Sequence, residues 1–174
     1  IPDEVLKALA EHKSPGYARP IVYFDGLTTL SDEGATVLAA WPKWSGELPA
    51  LATLSEHGAA AFASSRYVRG NLPAVKTLSV EATRALAQRN GNLSLDGLTS
   101  LTGEAAAALA EHHGGTLSLD GLKTLPDKAA AALATHDGRL SLDGLVTLSP
   151  GGAKALAQHR GHWLFLDGLT SLSD

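Results

Sequence analysis

LSLDGLTSL begins at Leu93, LSLDGLKTL at Leu117, LSLDGLVTL at Leu140 and LFLDGLTSL at Leu164. A chain that repeats itself at fixed period folds by stacking like units on like, so this repeat constrains the fold more than any other feature. Counted on the leucine after Asp-Gly, the anchors Leu98, Leu122, Leu145 and Leu169 recur every 23 or 24 residues. Weaker copies continue the series backwards through VYFDGLTTL, ELPALATL and NLPAVKTL, with anchors Leu27, Leu51 and Val75. Three residues past each anchor stands a second leucine, from Leu30 to Leu172, and eleven past it a large apolar residue, from Leu38 and Phe62 to Leu156. The opening PDEVLKALAEHKS matches PDKAAAALATHDG, so residues 1–13 read as the helical half of an earlier unit, followed by an extra SPGYARP loop.

Within a unit, Leu93-Ser94-Leu95 alternates with period two, the pattern of a short strand with its leucines turned inward. Asp96-Gly97 closes it as a turn. Ser31, Ser55, Ser79, Thr102 and Ser149 stand where helix N-caps belong, and acids such as Glu56, Glu81 and Glu104 follow them. Ala105, Ala106, Leu109 and Ala110 then share one helical face. His112-His113-Gly114, His136-Asp137-Gly138 and His159-Arg160-Gly161 end the helices, each with a glycine suited to a left-handed cap. A single unit cannot fold alone. Ordering about 24 residues costs roughly 36 kcal/mol, whereas each buried leucine returns only about 1.5–3 kcal/mol.

The strand-plus-helix unit and its L-x-L-x-x-L core resemble the leucine-rich repeat family, in particular its divergent bacterial forms. The likeness covers nearly the whole chain and is sharpest from Leu93 to Leu172. It departs from the family where an asparagine or cysteine normally stands, since Leu98, Leu122, Leu145 and Leu169 hold that position. The resemblance implies a protein-recognition scaffold that uses the exposed face of its sheet. The fold expected is an α/β, curved, right-handed solenoid of about seven strand-turn-helix repeats, with a parallel sheet on the inner face. One domain spans 1–174: a partial repeat and loop over 1–20, degenerate repeats over 21–92 and regular repeats over 93–174.

Composition narrows the function classes. The 174 residues carry a net charge of −4, which argues against a nucleic-acid binder relying on bulk charge. The absence of cysteine removes a disulfide framework, a thiolate metal site and a cysteine nucleophile. No basic-then-apolar leader and no apolar run near 20 residues is present, so no membrane insertion is expected.

Two ladders invite chemical readings. Asp25, Asp96, Asp120, Asp143 and Asp167 recur at one place, either accepting backbone N–H groups or forming a row of cation sites. One carboxylate per layer is too few for calcium, which takes six to eight oxygens, so the first reading is adopted. His12, His112, His136 and His159 share another place, as helix-end residues or as metal or catalytic groups. The helix-end role is preferred, and adjacent His112 and His113 should point in different directions. No H-E-x-x-H, G-x-S-x-G, phosphate-loop or dinucleotide motif occurs. No catalytic residue, metal or cofactor is therefore assigned, although serine, histidine and aspartate are plentiful enough to leave a triad assembled in three dimensions open.

Two rows should face outward from the strands. One runs Tyr23, Glu47, Asn71, Ser94, Ser118, Ser141, Phe165; the other runs Ile21, Ser45, Arg69, Asn92, Thr116, Arg139, Trp163. Tyr23, Arg69, Arg139, Trp163 and Phe165 are the candidate partner-binding residues, the aromatics either making contact or covering the core beneath them. Trp41, Pro42 and Trp44 are expected to plug a lengthened turn. The partner is a protein or another subunit, and the terminal strand offers an edge for head-to-tail association.

Overall fold

The computed structural model describes residues 2–11, 21–42 and 44–172. Among these residues seven helices form in chain order: α1 (Asp3–Glu11), α2 (Asp32–Ala40), α3 (Glu56–Ser64), α4 (Val80–Ala87), α5 (Gly103–Ala110), α6 (Asp127–Leu133) and α7 (Pro150–Leu156). Each packs on the next. Their starts are fixed locally. Ser31, Ser55, Ser79, Thr102 and Ser149 cap α2, α3, α4, α5 and α7, each side-chain oxygen accepting the N–H three residues on at 2.9–3.1 Å. Ser31, Ser55 and Ser149 also donate to Asp3, Asp32 and Asp127 of the preceding helix, so each of these caps ties two helices together.

The strands are β1 (Leu93–Ser94), β2 (Thr116–Ser118), β3 (Arg139–Ser141), β4 (Thr147–Leu148), β5 (Trp163–Phe165) and β6 (Ser171–Leu172). A parallel sheet runs β1-β2-β3-β5, with Leu93, Leu117, Leu140 and Leu164 in register and Ser94, Ser118, Ser141 and Phe165 beside them. β4 and β6 pair separately. Between helices and sheet lies one apolar core, in which Leu93, Leu95, Leu117, Leu119, Leu122, Leu140, Leu142 and Leu145 are fully buried.

This architecture corrects the expected seven-repeat solenoid. Among the described residues it is a mix of seven helices and a four-stranded parallel sheet whose strands are two or three residues long, and no sheet there spans seven repeats. Over 21–92 the strand positions are reduced to isolated bridges, Val22 with Trp44 and Asn71 with Ser94. The reason is visible in the residues. Pro49 and Pro73 stand where the later copies have aspartate, so these turns lack both the carboxylate and the N–H by which one Asp-Gly turn is tied to the next.

The expected left-handed helix caps are also corrected. Gly114, Gly138 and Gly161 do not have positive φ; among the described residues the positive-φ glycines are Gly46, Gly91 and Gly115. α5, α6 and α7 instead end on right-handed caps at Glu111, Ala134 and Ala157. The three glycines are small because the preceding layer crowds them: a Cβ at Gly161 would lie 1.9 Å from the Gly138 carbonyl oxygen. At the other end of the chain Trp41 and Trp44 are buried against Phe24, with ring centroids 5.8 and 6.2 Å away, filling the turn after α2 as expected, whereas Pro42, expected to join them, is exposed.

Candidate functional site

The Asp-Gly turns are tied together layer to layer. Asp96 Oδ1 accepts the N–H of Asp120 at 3.0 Å, and Asp120 and Asp143 accept those of Asp143 and Asp167, both at 2.9 Å. Serine hydroxyls complete the row: Ser118 donates to Asp96 and Asp120, and Ser141 to Asp120 and Asp143. Asp96, Asp120 and Asp143 are thus engaged by N–H and O–H donors, the acceptor role read from sequence, whereas Asp25 and Asp167 accept no hydrogen bond among the described residues. Among the described residues no cluster of three or more histidine, aspartate or glutamate side chains could hold a metal ion.

The outward rows form a surface beside this ladder. A cleft of about 500 Å³ crosses the start of the strands, lined among others by Asn92, His113, Thr116, Asp137, Arg139 and Trp163. Asn92 and Thr116 also line an adjoining groove of about 380 Å³ that continues to Arg69 and Asn71. Asn92 Oδ1 accepts the Thr116 N–H at 3.0 Å and so binds one strand entry to the next. His113 Nδ1 lies 3.2 Å from Asp137 Oδ1, and this hydrogen bond holds the Asp137 carboxyl below its ordinary value.

Arg139 lies over the Trp163 ring, 5.7 Å from its centroid, and Trp163 stacks on Phe165 at 6.1 Å with planes 8° apart. The three side chains form one continuous platform, with Trp163 exposed and Phe165 half-buried. Arg69 stands on the adjoining groove, its guanidinium 3.4 Å from Glu47. Tyr23 is exposed but does not join the platform; it borders a separate depression with Asp25 and Thr28.

The histidine ladder is more deeply placed than a helix-end role implies. His112 and His136 are fully buried, and the rings of His112, His136 and His159 stack with centroids 6.3 and 6.2 Å apart. His12 lies outside the described residues. His112 Nδ1 is 3.1 Å from the carbonyl oxygen of Ala87, the last residue of α4. The same seat is taken one layer earlier by Arg89, which donates to the carbonyls of Phe62 and Val68, and before that by Ser65, which donates to Ala39. The carbonyls of Ala39, Phe62 and Ala87, near helix ends, are thereby served from the following layer. Arg89 and Ser65 escaped the sequence reading because their chemical types differ; their position, fourteen residues past an anchor, was the available signal. His113 points outward, away from His112.

No family model matches the chain, and no curated protein matches it in sequence. No helix among the described residues is long and apolar enough to cross a membrane.

Proposed function

We propose that this protein is a non-catalytic interaction scaffold of the leucine-rich-repeat kind, which receives a protein partner on the exposed sheet face between Arg69 and Trp163. The observation that carries this reading is the Arg139–Trp163–Phe165 platform at one end of the two joined grooves. Stacked aromatics with an arginine on top combine large contact area with a directional charge, the residue types that dominate binding energy at interfaces. The polar floor of Asn92 and Thr116 suits a partner backbone laid across the strand entries. The partner is protein rather than nucleic acid, given the net charge of −4. A photo-reactive residue at Thr116 is expected to cross-link a partner in the source cells, whereas the same residue at Arg84 on α4 is not. Equal labelling at both positions contradicts the proposal.

A second reading, a structural element of a larger assembly, is favoured by one observation. Leu164, Leu166 and Leu169 are only partly buried, whereas their counterparts Leu140, Leu142 and Leu145 are fully buried.

A further inference from the structure

The cleft at the strand entries is walled by four successive layers, through Asn92, Thr116, Arg139 and Trp163. Arg139 stands on β3 between β2 and β5, so its outward side belongs to the face of the sheet and not to an edge of the stack. Its guanidinium makes no ion pair among the described residues, although Asp137 stands only two places before it. That carboxylate is engaged by His113 at 3.2 Å. The charge of Arg139, exposed over the Trp163 ring, is therefore left uncompensated.

Charge is sorted across the sheet. His113, Arg139 and His162 line the strand entries, and Arg69 lines the groove that continues from them. Asp96, Asp120 and Asp143 stand past the strand ends, each held by N–H and O–H donors. The acids on the entry side, Glu47 and Asp137, each face a basic partner, Arg69 and His113. The Glu47 contact is long, at 3.4 Å, and both its side chains are exposed, so Arg69 stays open to a second carboxylate. A chain of net charge −4 thus presents a local surface that attracts acids.

The register fixes how far apart the two arginines stand. Asn71 bridges Ser94, Leu93 pairs with Leu117 and Thr116 with Arg139, so Arg69 lies three layers from Arg139, about 14 Å at about 4.8 Å per layer. Residues i and i+4 of an extended chain project to one side and stand about 13 Å apart. Between the arginines, the Asn92 amide NH2 and the Thr116 hydroxyl have no acceptor among the described residues and are free to bond the carbonyls of such a chain.

We propose that the strand entries recognise an extended acidic segment of the protein partner, with one carboxylate on Arg139 and a second, four residues away, on Arg69. Glutamate suits the Arg139 position, because its methylenes can lie on the Trp163 ring while its carboxylate meets the guanidinium. A peptide is favoured over single-stranded nucleic acid. Glu47 and Asp137 stand beside the basic groups and oppose a polymer charged at every unit, whereas a peptide places its acids only where the arginines are. This inference rests on the recognition reading of the sheet face and names the chemistry of its partner.

Selection of short random peptides from a displayed library on the whole chain tests it. The selected sequences should carry acids at i and i+4. Arg139→Glu, or glutamine in place of the acids of a selected peptide, should weaken binding about tenfold or more, and lysine in place of one acid should restore binding to Arg139→Glu. Selection that yields apolar or basic sequences, or none, overturns the proposal, as does an acidic peptide bound equally by wild type and Arg139→Glu or equally after its acids become glutamine. Oligodeoxythymidine bound as tightly as the selected peptide would make the entries a nucleic-acid site and overturn it too. A partner cross-linked at Thr116 alongside a failed peptide selection would leave the recognition reading standing with a partner of other chemistry, whereas labelling that is equal at Thr116 and Arg84 would remove that reading itself.

Discussion

Asp120 accepts the backbone N–H of Asp143, 23 residues later, at 2.9 Å, while the Ser141 hydroxyl reaches the same Oδ1 at 2.7 Å. One carboxylate oxygen thus serves the next layer's turn and strand together. Asp120→Leu removes the acceptor of both bonds and leaves a half-buried N–H unpaired, a loss of about 1–3 kcal/mol in equilibrium urea unfolding. Asp120→Asn keeps one acceptor oxygen and should retain the fold. Calcium in excess should leave the melting temperature of the wild type unchanged, since no carboxylate of the row is without donors from Asp96 to Asp143.

Leu122 is fully buried at the centre of the regular layers. Its replacement by alanine should cost about 2–5 kcal/mol, the range for a truncated core leucine. Because neighbouring layers share the core, amide exchange should accelerate in both adjoining layers as well as in its own. A loss below about 0.5 kcal/mol would place this side chain outside the core.

Gly144 separates two layers whose backbones leave no room for a methyl group, with the Asp120 carbonyl oxygen 1.7 Å from where a Cβ would stand. Gly144→Ala must push the layers apart and should lower stability by about 1–3 kcal/mol or more. Unfolding of the variant in urea beside wild type reads the difference directly.

Burial pushes the His136 imidazole below its ordinary pKa, with the neighbouring His112 and His159 adding smaller opposition to charge. The folded state therefore favours the neutral ring. Above about pH 6.5 both states are neutral and stability is complete; as the pH falls below that value the unfolded chain binds the proton first and stability declines. The slope contributed by this one side chain should approach about 1.4 kcal/mol per pH unit at most, and His136→Gln should flatten it. Urea midpoints between pH 5 and pH 8 check the sign; stability that rises on acidification in wild type but not in the variant would reverse the assignment.

The core was legible because its leucines recur at a fixed interval and burial follows the interval: Leu98, Leu122 and Leu145 all lie inside. The aspartate ladder was legible for the same reason, a single residue type at a single place in each turn. The strands over 21–92 were not, because the apolar pattern persists through Glu47-Leu48-Pro49 and Asn71-Leu72-Pro73 while pairing there shrinks to isolated bridges and the turns lose the aspartate that ties later layers together. The glycines after the histidines were misread as left-handed caps because a glycine's tolerance of close approach and its tolerance of positive φ look alike in a sequence. Arg139 and Trp163 were placed on one row by the repeat, but the stacking of one on the other depends on side-chain rotamers that no spacing encodes. Tyr23 shares the outward rows and yet lies apart from the platform, since its segment pairs through the Val22–Trp44 bridge and not with the β1-β2-β3-β5 sheet.

The recognition role of the sheet face is tested most directly by hydrogen exchange on the complex with the partner captured at Thr116. Amides around Asn92–Ser94, Thr116–Ser118, Arg139–Ser141 and Trp163–Phe165 should gain protection on binding, and Trp163→Ala together with Arg139→Ala should weaken the complex at least about tenfold. Protection confined to the exposed helix surfaces, with affinity unchanged in the double variant, would contradict the account.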